Sequence, residues 1–306
     1  MKNLIKAVIV MLMLFSLFSC VSEEVPEDGG HHSYTDVDAP KEIVSTELTG
    51  LNCDYVVEDD ENEVYGRYCL EVKKEDGSIR GSYEFREADS PLISIIFPFE
   101  TDDAFMDRLE EIIRRHDIAQ YNGIHEETIG IADEYGFSFD AAYASGEEIS
   151  CSDNAASLLS LEFVRELAEL FYQESGASAY YDTDRLQNLR YSIYDKENGY
   201  RFTAYIYEDA DGTVRYRLQE KQDDTVMTEH RGETEREILE RIQKICEDNG
   251  MYEISEYPRR EESGYCALEM KSGKTDSHIR SNTAISDEQL KALYELKDLI
   301  LKECSR

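Results

Sequence analysis

The chain has 306 residues, 41% of them hydrophobic, and its 67 acidic against 32 basic side chains give a formal charge of −35. That apolar share supports folded domains and excludes a disordered polyelectrolyte, while the charge repels phosphates, so nucleic acids and anionic head groups are poor partners. The simplest use of so acidic a surface is to keep the molecule soluble, with cationic partners favoured.

Lys2 and Lys6 precede an apolar run from Ala7 to Phe18 that only Ser16 interrupts, and Ser19 and Cys20 follow it. The run is short for a bilayer span of about 20 residues and has the layout of a cleaved export signal. Leu17-Phe18-Ser19-Cys20 resembles the lipobox of a bacterial lipoprotein, although Phe18 is bulkier than the residue usual there. The resemblance implies a signal peptide over 1–19, a diacylglycerol on Cys20, and an extracytoplasmic protein lipid-anchored to the outer face of the cell membrane. Two acyl chains suffice for stable anchoring. Cleavage would also remove Lys2 and Lys6, taking the formal charge from −35 to −37.

Residues 20–44 follow as an acidic linker. Glu23, Glu24, Glu27 and Asp28 precede Gly29-Gly30-His31-His32, then come Asp36, Asp38 and Pro40. Charge, glycine and proline without periodicity predict a flexible spacer. The histidine pair lacks the fixed geometry of a metal site.

Beyond the linker the chain resembles itself at a spacing of roughly 130 residues. Asp76-Gly77 answers Asp211-Gly212, Leu109-Glu110-Glu111-Ile112 answers Leu239-Glu240-Arg241-Ile242, and Ser145-Gly146 answers Ser272-Gly273. Leu161, Leu167 and Leu170 answer Leu290, Leu296 and Leu299. In the first copy, 45–176, a leading strand at Asn52 to Val57 precedes a hairpin across Asp76-Gly77 and a short strand at Leu92 to Phe97. A helix then opens at Thr101-Asp102-Asp103 with Phe105, Leu109, Ile112 and Ile113 on one face. A second hairpin across Ser145-Gly146 and a helix carrying Leu158, Leu161, Val164, Leu167, Leu170 and Phe171 complete it. The second copy, 177–306, repeats the order with a strand at Arg190 to Asp195, a hairpin at 200–219, a helix at 233–248, a hairpin at 264–281 and a helix at 287–303. The expected fold is α+β: two tandem domains, each an antiparallel sheet packed on one face by two helices. Tandem domains with a Gly-Tyr or Gly-Phe strand, a Ser-Gly or Asp-Gly turn and an Asn before the last helix look like those of uncharacterised lipoproteins of Gram-positive bacteria.

The repeat disposes of several motifs. Ser272-Gly273-Lys274-Thr275 ends like a phosphate-binding loop but sits in a hairpin turn, and Leu268 stands where the first glycine is needed. Ser152-Asp153-Asn154 has no Ser-x-x-Lys to accompany it, so Asn154, like Asn282, is expected to cap a turn or helix start. Asp209-Ala210-Asp211-Gly212 lacks the closing glutamate of a calcium loop and reads as a type I′ turn. His125-Glu126-Glu127 reads as solvated loop. Six cysteines besides Cys20 have no counterparts between copies, so free thiols are favoured over bridges such as Cys53 with Cys69. Tyrosines concentrate at Tyr191 to Tyr216. Aligning Tyr205 and Tyr207 with Leu70 and Val72 points that pair at the core, whereas an exposed set would suit a peptide or glycan.

No catalytic residue, cofactor or metal is indicated. The expectation is a non-enzymatic binding or scaffolding lipoprotein whose partner, besides the membrane, is an envelope protein or peptide. The alternatives are an envelope hydrolase using carboxylates such as Glu84 or Asp140, and a solute-capturing lipoprotein.

Overall fold

A computed structural model describes residues 31–59, 64–88, 90–128, 136–155, 157–195, 197–223, 225–251, 265–273, 275–281 and 286–304. The signal segment and Cys20 lie outside the described residues, as does Asn282. The chain is a mixed α+β protein with two sheets.

The first sheet contains β1 (His31–Thr35), β2 (Leu48–Asp59), β3 (Val64–Glu75), β4 (Ser78–Glu87), β5 (Ile96–Thr101), β6 (Ile124–Thr128), β7 (Phe137–Tyr143) and β8 (Glu148–Asp153). Their order is β1-β6-β8-β7-β2-β3-β4-β5, antiparallel throughout except between β6 and β8. The second contains β9 (Leu186–Asp195), β10 (Tyr200–Glu208), β11 (Val214–Gln222), β12 (Thr225–Thr234), β13 (Tyr265–Ser272) and β14 (Thr275–Ser281), ordered β12-β11-β10-β9-β13-β14. The helices are α1 (Asp103–Arg115), α2 (Leu161–Glu174), α3 (Ala177–Tyr181), α4 (Glu237–Asp248) and α5 (Asp287–Cys304), with a 3₁₀ turn at Ile118–Tyr121.

Local signals explain most of this. Asp76 and Gly77 both take positive φ, 50° and 81°, which is the two-residue turn whose twist matches a hairpin. Asp102 caps α1 by accepting from the N–H groups of Ala104 and Phe105, and Ser160 caps α2 by accepting from Phe163 N–H. One core joins Cys53, Leu70 and Phe139 of the first sheet to Phe105, Leu109, Phe163 and Phe171 of α1 and α2. Another joins Leu189, Tyr191, Phe202 and Leu268 to Leu239, Ile242, Leu296 and Ile300 of α4 and α5. Each fully buried side chain of this size contributes about 2 kcal/mol of transfer free energy.

Several expectations need correction. Residues 31–35 are not spacer but an edge strand, each paired from Thr35↔Ile124 to His31↔Thr128, and Asn122 holds the following segment by donating to Pro40 O. A strand needs no apolar alternation when it lies at an edge with both faces wet, so composition hides it. His125-Glu126-Glu127 is accordingly strand β6, not loop. The strand expected at 92–97 begins at Ile96, and its Pro98 is tolerated because β5 pairs with β4 alone. Asp209-Ala210-Asp211-Gly212 is no two-residue turn. The loop runs 209–213, and Arg215 holds both Asp209 and Asp211. Asn154 caps no helix; its side chain accepts from Thr128 N–H and donates to Thr128 O, tying β6 to the end of β8.

The cysteines besides Cys20 are free thiols. Cys53 opposes Leu70 while Cys69 opposes Asp54, so the two thiols leave opposite faces of the sheet and cannot join.

Candidate functional site

The tyrosine expectation fails by one residue. Ala204 opposes Tyr191 and is buried with Ile206, which puts Tyr205 and Tyr207 on the face away from α4 and α5. A strand alternates with period 2, so aligning β10 one residue out of step exchanges its faces. Tyr191, by contrast, is core and donates its hydroxyl to Leu293 O at 2.8 Å.

That second face is polar and largely covered. Arg190 binds both carboxylate oxygens of Glu269, at 3.0 and 3.2 Å, and Glu269 is 0% exposed. The guanidinium also lies over the Tyr205 ring. One step along the sheet the row is Lys271, Asn188, Tyr207 and Arg215. Tyr207 packs against the core of the first sheet, so this end of the face meets the other half of the molecule.

The junction is held by directed bonds. Asn188 donates its side-chain amide to Ile93 O across it; Tyr180, which packs on the first core, donates its hydroxyl to Glu208 O of the second sheet at 2.6 Å, and within the second sheet Gln187 accepts from Gly273 N–H at 3.0 Å. Gly273 has φ +53°, and a Cβ there would stand 1.7 Å from Thr183 O, so only glycine lets the β13–β14 turn approach the chain so closely. α3 is part of this joint: Ala177 is fully buried, and Tyr180 and Tyr181 set their edges against Phe97 at 5.1 and 5.6 Å between centroids.

Between these ties lies a cleft of about 560 Å³. Tyr83, Tyr172, Tyr180 and Tyr181 line it together with Asn188 and Lys271. Tyr83 and Tyr172 meet edge to face at 5.6 Å. Burial pushes the Tyr83 and Tyr180 phenols well above their ordinary range, and the Tyr180 hydroxyl is already donated to Glu208 O. Lys271 Nζ stands 3.3 Å from Glu87 Oε2 and 5.8 Å from the Tyr181 ring, spanning both halves of the molecule. Arg86 is bound in two-pronged fashion to Glu84 at 2.8 Å. Each cation on the wall thus has a carboxylate beside it, and the cleft is close to neutral on a strongly acidic molecule.

The sequence offered none of these as site residues. The one signal was the pair of adjacent tyrosines, Tyr180-Tyr181, just after the boundary between the two copies. The carboxylates it did offer are apart: Asp140 on β7 and Glu84 on β4 are separated by β2 and β3, about 14 Å at the usual strand spacing. Asp140 accepts from Ser150 Oγ at 2.7 Å. No group of three or more metal-ligating side chains occurs among the described residues, and none of the described helices is long and apolar enough to cross a membrane.

Compared with known proteins, the chain matches no family model, and no characterised protein matches it in sequence.

Proposed function

We propose that this protein is a lipid-anchored extracytoplasmic binding protein, without catalytic activity, and that the cleft at its junction takes a short peptide segment of an envelope protein. The observation that carries the assignment is the cleft itself: four tyrosine rings from both halves around about 560 Å³. That volume is within the roughly 300–1,000 Å³ usual for ligand sites and suits a few residues of chain. Ring edges complement apolar side chains and the Tyr83 hydroxyl a peptide carbonyl, and the paired cations leave no net charge to demand an anionic ligand.

Cleavage after residue 19 and lipidation of Cys20 would place this cleft outside the cell membrane, facing envelope polypeptides. We further infer that residues 45–176 and 177–306 are two copies of one unit. The orders β5-β4-β3-β2-β7-β8 and β12-β11-β10-β9-β13-β14 support this, being the same path through two sheets. The Asn188 bond to Ile93 O and the Lys271 pair with Glu87 across the junction disfavour a hinged solute-capturing protein, and the separation of Glu84 from Asp140 disfavours a carboxylate hydrolase.

The test is binding of fluorescein-labelled peptides tiling envelope proteins, read as polarisation. Tyr181→Ala and Lys271→Glu each weaken a genuine hit about tenfold, near 1.4 kcal/mol. Hits indifferent to both substitutions, or binding of neutral glycans in place of peptides, would remove the assignment.

A further inference from the structure

β12 ends the second sheet, and its ladder to β11 uses one side of the strand. Among the described residues nothing pairs with its other side, which presents the remaining backbone N–H and C=O groups as a template for another strand. The edge strand β5 is blunted by Pro98, whereas β12 runs ten residues with no proline, and its residues from Thr225 to Arg231 are exposed, the Glu229 carboxylate being held by Arg217, Gln219 and Arg231 of its own chain. Its one irregularity lies near its start, where Met227 has no partner between Glu220↔Thr228 and Lys221↔Val226. From Thr228 to Thr234 the pairing is continuous.

Charge decides what fits. On a chain of formal charge −35 this strand carries only Glu229, Arg231 and Glu233. Read in the opposite direction about His230, the strand complements itself: position 229 meets 231, and Thr228 meets Gly232. We propose that β12 pairs antiparallel with β12 of a second copy, centred on His230, so that Glu229 of each copy faces Arg231 of the other across a two-fold axis. A self-complementary contact of this kind closes at two subunits and joins the two six-stranded sheets into one.

The test uses the full lipidated chain. In native membranes, oxidation of His230→Cys gives a covalent homodimer on a non-reducing gel. Thr225→Cys, whose counterpart is about 34 Å away in this register, gives none. In detergent solution, sedimentation shows a dimer that Glu229→Arg or Arg231→Glu weakens about tenfold, since like charges then meet twice at up to about 1 kcal/mol each. Combining the two substitutions restores it, and because Glu229 also pairs with Arg231 in its own chain, an equimolar mixture of the two single variants, in which opposite charges meet only between copies, restores it as well. Equal cross-linking through Thr225→Cys, capture of a different chain by His230→Cys, or failure of the double variant to restore the dimer would overturn the pairing.

Discussion

Asn188 donates its side-chain amide to the main-chain carbonyl of Ile93 at 2.6 Å, tying the leading strand of the second sheet to the β4–β5 connection of the first. Because that bond fixes the amide's orientation, Asn188 Oδ1 points the other way and has no partner among the described residues. Asn188→Ala therefore removes one bond and one unsatisfied acceptor together, and costs about 1 kcal/mol by urea denaturation. Asn188→Asp sets a carboxylate against a carbonyl oxygen and costs more than the alanine. Equal stability of the two variants would show that the tie contributes nothing to the joint.

Arg190→Met leaves Glu269, 0% exposed, without the cation that binds both its oxygens. Breaking a buried pair from one side costs about 3 kcal/mol, so the denaturation midpoint falls clearly. Lys244→Ala, from the exposed pair with Asp248, shifts it by about 0.5 kcal/mol or less. A comparable shift in both variants would mean that Glu269 is better hydrated than its burial implies.

Desolvation raises the pKa of all six thiols: Cys69 and Cys266 to about 11, Cys151, Cys246 and Cys304 to about 12, and Cys53 upward as well. At pH 8 a thiol-specific disulfide reagent therefore reacts slowly with the native protein and quickly once urea is added, half-exposed Cys69 leading the slow phase. Raised values in the folded state mean that the stability these groups contribute is intact below about pH 9 and is lost as pH climbs toward 11–12. Tyr200, raised to about 12 by burial and its bond to Glu220, adds to the same alkaline loss. A melting temperature flat from pH 8 to pH 11 would contradict this.

Much of the architecture was legible because it rests on local chemistry. Asp76-Gly77 announces its turn, and the Phe105, Leu109, Ile112 and Ile113 spacing announces α1. Edges were not: β1 and β12 lack the half-buried alternation by which strands are read, since their side chains face water. The cleft was illegible for a different reason. Asn188, Lys271 and Glu87 come from distant parts of the chain and converge only when the two halves dock. Tyr205 and Tyr207 show how narrow the margin is, one residue of alignment having reversed the face they occupy.

The most direct measurement replaces Tyr181 with a photo-cross-linking phenylalanine in cells carrying the full-length protein, with the exposed Tyr294 of α5 replaced as control. Irradiation of native membranes should give a peptide adduct from position 181 and none from 294. Equal adducts from both positions, or an adduct at 294 alone, would contradict a binding cleft at the junction of the two sheets.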